Sequence, residues 1–203
     1  MATFRSTSMP LGAAHRQVGC QSCHTASTFS AVRLRRNLAP GTDVGAFYYA
    51  RQGTEARGGR NEVFGIDENV RFFGKVDWNS YLVGSQTPGK GGGQFAWRSS
   101  VNYESKIVHV RGAVMELGDG FEDDLGYYRR TGVRKYFLDF GFRPRPAWWQ
   151  QHGTRELHPH VTWNYYENLT GTTIGKNLHN GQTWFFNDGG YTELSVNIHY
   201  ELH

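Results

Sequence analysis

No stretch of this 203-residue sequence approaches the ~20 consecutive apolar residues that a membrane-spanning helix needs. That excludes a helical membrane protein. It does not exclude a β-barrel, whose strands place apolar residues only at every second position. Long helical periodicity, low-complexity tracts and strict repeats are missing as well. So are the usual catalytic signatures: no Ser-His-Asp order, nucleophile elbow, P-loop or dinucleotide fingerprint appears. The expectation is that the chain is not an enzyme. Charge of one sign is not concentrated either. Lys and Arg number 22 against 18 Asp and Glu, a net +4, and they are spread along the chain. Arg33, Arg35 and Arg36 form the densest run. A nucleic-acid binder clusters its basic residues on one face, so no nucleic-acid partner is expected.

The N-terminus, MATFRSTSMPLGAAHRQVG, lacks the apolar core segment of a signal peptide. A bacterial outer-membrane protein must be exported. The expectation is therefore an internal piece of a longer protein, and the last residues, Tyr200-Glu201-Leu202-His203, also stop directly after a strand pattern.

What is abundant is aromatic and glycine content. Aromatics make up 15% and glycine contributes 26 residues, a mixture suited to strands, tight turns and an interfacial aromatic girdle. A soluble sandwich could share that composition, so it favours β structure without deciding on a membrane.

Two segments are distinguishable. Residues 1–28 are polar, hold both cysteines and show no period. Residues 29–203 keep a period close to 2. In the clearest strand Phe95, Trp97, Val101 and Tyr103 share one face, with Ala96, Arg98, Ser100, Asn102 and Glu104 on the other. Val108, Val110 and Val114 oppose His109 and Arg111. Tyr136, Leu138, Phe140 and Phe142 oppose Lys135, Phe137 and Asp139. Leu157, Val161, Trp163 and Tyr165 oppose His158, His160, Thr162 and Asn164. Trp184 and Phe186 close one strand. Leu194, Val196, Ile198, Tyr200 and Leu202 oppose Glu193, Ser195, Asn197, His199 and Glu201. Earlier strands are expected at Phe29–Asn37, Val44–Gln52, Asn61–Phe73 and Val76–Thr87, with Glu68 interrupting the apolar face of Phe64, Ile66, Val70 and Phe72. Turn signals separate these runs, among them Pro40-Gly41, Gly91-Gly92-Gly93, Gly118-Asp119-Gly120 and Asn187-Asp188-Gly189-Gly190.

Strands in soluble sheets usually run ~5–6 residues; these are longer, with a second face too polar for a packed core. The expected fold class is all-β: an antiparallel up-and-down membrane-type β-barrel, partial, of about ten strands, after a short irregular N-terminal segment. The alternative is a soluble β-rich binding protein with one wet sheet face.

The stretches Gly58–Asp67, Ser85-Gln86-Thr87-Pro88-Gly89, Glu116–Phe121 and Gly126–Gly132 occur in an order that resembles a bacterial family of large outer-membrane barrels of unknown function, the domain of unknown function 5916 type. Members usually carry an upstream carbohydrate-binding-like domain. The resemblance covers residues 29–203. It implies a segment of a larger barrel with a passage or anchoring role, linked to carbohydrate binding or uptake. Its partners would be outer-membrane lipid and the remaining strands of the barrel, and its place the bacterial cell outer membrane. The family supplies no catalytic residues to carry over, and residues 1–28 depart from it.

Those residues contain Cys20-Gln21-Ser22-Cys23-His24, the c-type haem attachment spelling. Two thiols add across the haem vinyl groups, and the adjacent His24 reaches the iron. The preceding Met9–Gly19 segment resembles the lead-in of multihaem cytochrome repeats, which implies His15 as a second axial ligand. A disulfide or redox pair, or half of a zinc site, are alternatives. No second cysteine pair completes a Cys₄ zinc site. The corresponding function is an electron-transfer module carrying one covalent haem.

Three weaker features remain. His158 and His160 share a strand face with His152 nearby, which fits a metal site or simply a polar lumen. Asp119, Glu122, Asp123 and Asp124 crowd one loop without calcium-loop spacing, and are expected to pair with Arg129 and Arg130. Trp148 and Trp149, beside Pro144 and Pro146, suit interfacial anchoring.

Overall fold

The structure is a computed structural model that describes residues 27–53, 59–126, 128 and 130–202. Ten strands follow one another as a single antiparallel sheet in sequence order. They are β1 (Thr28–Ala39), β2 (Thr42–Gln52), β3 (Arg60–Phe72), β4 (Val76–Gln86), β5 (Phe95–Glu104), β6 (Val108–Leu117), β7 (Val133–Phe142), β8 (Thr154–Asn168), β9 (Thr173–Phe186) and β10 (Tyr191–Glu201). The architecture is the expected all-β, up-and-down one with the expected number of strands. The sheet is open: β1 pairs only with β2, and β10 only with β9. One element was not anticipated, a short helix α1 (Ala147–Gln151) in the β7–β8 connection. Pro146 precedes it, where fixed φ and the missing N–H do no harm.

Register follows the alternation of the sequence. Across the middle of the sheet, Asp77, Asn102, Arg111, Asp139, Thr162, His179 and Asn197 stand directly opposite one another, strand after strand. A row with the same parity, nearer the other end, is Phe47, Gly65, Val83, Ala96, Leu117 and Val133. These two rows define one face, which carries the polar network and the small core. The alternate residues form the opposite face. There Leu34, Ile66, Leu82, Val101, Leu138, Leu194, Val196 and Ile198 are all exposed.

The core is correspondingly small. Among the described residues the buried apolar side chains are Val63, Val83, Ala96, Leu117, Phe121 and Val133. All but Phe121 come from the strands. Phe121 arrives from the β6–β7 connection, residues 118–132, which folds back over the sheet. Backbone approach there is close: a Cβ on Gly118 would lie 1.9 Å from the Gly93 carbonyl oxygen, and one on Gly120 would lie 2.1 Å from that of Gly91. Asn61 and Ser85 hold the same loop, Ser85 Oγ accepting from the Glu122 N–H at 3.1 Å. Thus stretches distant in sequence, around Asn61, Ser85, Gly93 and Gly118–Glu122, meet at this end of the sheet.

The acidic residues of that loop do not pair as expected. Asp124 meets Arg51 at 2.6 Å, Glu122 lies 3.7 Å from Lys90, and Asp119 accepts from the Gly93 N–H at 2.6 Å. Arg130 reaches instead to Glu201 on β10, and Arg129 lies outside the described residues. Arg51 on β2 and both Lys90 and Gly93 in the β4–β5 connection are the groups that stand beside the loop's carboxylates.

Candidate functional site on the polar face

Polar side chains cover the half of this face remote from the folded-in loop. Arg35 grips Asp43 with two bonds of 2.7 and 2.6 Å, and Asn69 donates to the same carboxylate at 3.0 Å. Arg71 holds Asp77 at 2.6 and 3.1 Å. Further round, Arg143 donates to Glu104 at 2.5 Å and lies 3.1 Å from His109 Nδ1. His109 Nε2 is 3.4 Å from Asp139, which also accepts from Thr162 at 2.9 Å. The alternation of charge along the row explains how so many ionic groups coexist: each meets an opposite charge or a donor across the strand.

Four histidines form the most distinctive part. Register places His109, Gly141, His160 and Gly181 opposite one another on successive strands β6 to β9. Each glycine leaves room that an imidazole fills. A Cβ on Gly141 would lie 2.1 Å from His109 Cε1 and 2.6 Å from His158 Nε2; one on Gly181 would lie 2.4 Å from His160 Cε1 and 2.9 Å from His179 Nε2. The rings of His158 and His160 stack at 4.8 Å, His109 and His158 meet edge-on at 5.2 Å, and His160 and His179 lie 5.0 Å apart. Glu193 on β10 approaches His179 Nε2 at 3.7 Å. His152 is elsewhere: its Nδ1 bonds the Trp148 carbonyl at 2.7 Å, outside the cluster.

The other end of the face holds a cavity of about 700 Å³ between the sheet and the β6–β7 loop. Phe47, Tyr49, Tyr81, Tyr128 and Tyr166 give it aromatic walls, and Lys135 contributes a cation. The Lys135 ammonium sits 5.3 Å from the Tyr166 ring centre. Asp119, in the loop beside it, has its carboxyl held below the ordinary range, chiefly because the Gly93 N–H donates to the carboxylate.

Sequence reasoning singled out His158 and His160 by their spacing, and the structure brings both into the cluster. It missed His109, His179 and Glu193 as their neighbours. The available signal was parity: all three fall on the polar side of their strands. What parity could not supply was register, which sets who stands beside whom. The haem residues, Cys20, Cys23, His24 and His15, lie outside the described residues. Comparison with protein-family models, with curated proteins and with solved structures finds no match for this chain.

Proposed function

We propose that this sheet is part of the wall of a bacterial outer-membrane β-barrel, with its apolar face against lipid and its polar face lining a passage. One observation carries the reading: the well-covered face is the polar one, and the apolar face is left bare. Leu34 is 71% exposed, Leu194 69% and Ile66 60%, while the buried apolar set is the six residues named above. In water such a face is a severe liability; in lipid it is the expected surface.

Other features agree. A ten-residue strand rises ~33 Å, which tilted covers the ~25 Å apolar band of an outer-membrane barrel. Near the β6–β7 loop end, the lipid-facing side carries Trp163 and Tyr165 stacked at 5.6 Å, with Tyr136 beside Tyr165 at 5.9 Å. Just beyond them Arg134 bridges Glu116 at 2.5 Å and Glu167 at 3.0 Å. Aromatic rings below a paired charged rim match an interfacial girdle. On this face Trp78 Nε1 donates to Ser99 at 2.8 Å and Ser80 bonds Ser99 at 3.1 Å, whereas Glu68 Oε1, of the same parity, is buried without a partner among the described residues. Loop lengths are uneven, with turns as short as 40–41 at one end and the 118–132 connection at the other. In the barrel reading that asymmetry supports an extracellular position for the folded-in loop. The two unpaired edge strands would join the remaining strands of a larger barrel, since an open edge in lipid costs several kcal/mol per unsatisfied group.

The test uses tryptophan. Trp78, Trp97, Trp163 and Trp184 all have lipid-facing parity. After refolding into vesicles of brominated phosphatidylcholine, their fluorescence should be strongly quenched. Emission unchanged by bromination, from a chain that folds without detergent, would instead favour the soluble binding protein.

A second reading rests on the Cys20-Gln21-Ser22-Cys23-His24 spelling and the resemblance of its Met9–Gly19 lead-in to multihaem cytochrome repeats: an electron-transfer segment with covalent haem, ligated by His24 and, by that resemblance, His15. Exported with a cytochrome c maturation system, the chain should then gain one haem in mass after denaturation. No adduct under those conditions would remove the reading.

A further inference from the structure

We propose that His160, His179 and Glu193 bind one divalent transition-metal ion of the zinc class on the polar face, where β8, β9 and β10 meet. This goes beyond the barrel-wall reading and does not depend on it. The ligand atoms of the three side chains lie within 4.8 Å of one another.

The hydrogen bonds around them point the right atoms inward. His160 Nδ1 lies 3.1 Å from the His158 carbonyl oxygen. A carbonyl only accepts, so Nδ1 carries the proton and donates it. His179 Nδ1 lies 2.8 Å from Asn197 Oδ1, again an acceptor. Both rings are therefore protonated on Nδ1, which leaves a lone pair on each Nε2. Those two Nε2 atoms face each other at 3.0 Å. Neither ring in this tautomer has a proton to offer the other, so an added cation is what satisfies both. Such second-shell acceptors behind ligating imidazoles are the usual way a protein fixes tautomer and ring orientation.

Glu193 completes the set. Thr183 Oγ1 donates to Glu193 Oε2 at 3.1 Å, which leaves Oε1 turned toward His179. Two neutral imidazoles and a carboxylate form a donor set that zinc accepts with a fourth position open. Gly181 supplies the room. His179 lies two residues before it on β9 and His160 directly across from it on β8, so both rings lean over the position that lacks a side chain. His158 stacks on His160 and faces Gly141, outside the set.

The experiment uses the full chain in detergent with Cys20→Ser and Cys23→Ser, so that thiolates do not compete. Cobalt(II) is the probe, and zinc the competitor. One equivalent should bind, with the intense visible absorption of a four- or five-coordinate site, and zinc should displace it. His160→Gln and His179→Gln should each weaken binding by on the order of 100-fold or more, and Asn197→Ala by about 10-fold. Gly181→Val should remove the site while every ligand remains. Zinc-edge X-ray absorption on the unsubstituted ligand set serves where a variant misfolds, and should show scattering from two imidazoles. Cobalt affinity unchanged by both histidine substitutions, a chain that binds no equivalent, or a zinc spectrum without imidazole scattering would each overturn the proposal.

Discussion

Asn61 holds the backbone on both sides of Asp123: its Nδ2 donates to the Glu122 carbonyl at 2.9 Å, and its Oδ1 accepts from the Asp124 N–H at 3.1 Å. The residue is almost completely buried, and Nδ2 also reaches Thr87 Oγ1 at 2.9 Å. One side chain thus ties β3, the β4–β5 connection and the folded-in β6–β7 loop together. Asn61→Ala leaves those backbone groups without partners in a dry place, at a cost of ~1–3 kcal/mol. Hydrogen exchange should report it as faster exchange at the Asp124 amide, which loses its acceptor, with the Glu122 amide still held by Ser85 and the strands largely unaffected. Unchanged protection at the Asp124 amide would mean that the loop is held elsewhere.

Asp119 makes the loop acid-sensitive. Its folded-state pKa is lowered from the ordinary 3.8 because the Gly93 and Gly120 N–H groups bond the carboxylate. A lowered folded value means the carboxylate's contribution is fully present above the unfolded pKa, and is lost as pH falls through the lower, folded one. Acid titration should show the Gly93 amide losing protection below the ordinary carboxylate range. Asp119→Asn should abolish that acid step and leave the loop weaker at neutral pH. A step that persists in the variant would point to another carboxylate.

Two glycines should respond differently to alanine. At Gly118 the obstacle is another chain segment, the Gly93 carbonyl, which cannot move without displacing the β4–β5 connection. At Gly59 nothing lies within 4 Å, and the cost is only that of a left-handed backbone, φ +61°. Gly59→Ala should therefore cost ~1–2 kcal/mol, and Gly118→Ala more than that with loss of the loop's protection. Equal, small effects in denaturant titrations would show that the loop's close approach is not required.

The strands were legible because period 2 survives along almost the whole chain. Val101 and Asn102 need only neighbours of the right parity to be assigned to opposite faces, and the same holds for Leu138 and Asp139. The helix at Ala147–Gln151 was hidden inside a proline-flanked loop, where a single helical turn leaves no periodic trace. The pairing of Asp124 with Arg51, and of Arg130 with Glu201, was not legible. Both join residues more than 70 positions apart, and only the strand order brings them together. The same limit concealed the histidine cluster: His158 and His160 announce themselves by spacing, whereas the adjacency of His160 and His179 depends on the β8–β9 register.

The open edges give a further expectation. Among the described residues, alternate N–H and C=O groups of β1 and β10 face no partner strand. In detergent those amides should exchange well before the amides of β5 and β6, and chains should associate through the edges at higher concentration. A monodisperse, heat-resistant monomer with both terminal strands protected would show that the ten strands close on themselves.

In the proposed barrel wall one face of the sheet meets lipid and the other water. Val101 and Asn102 are adjacent on β5, Val101 opposite Gly112 and Trp78, Asn102 opposite Arg111 and Asp77. Nitroxide labels placed at each position in turn, in a chain with Cys20 and Cys23 changed to serine and refolded into vesicles, measure this by collision rates with oxygen and with a water-soluble nickel chelate. The label at 101 should collide with oxygen and be shielded from nickel, and the label at 102 the reverse. Equal nickel accessibility at the two positions would show that the two faces do not divide lipid from water.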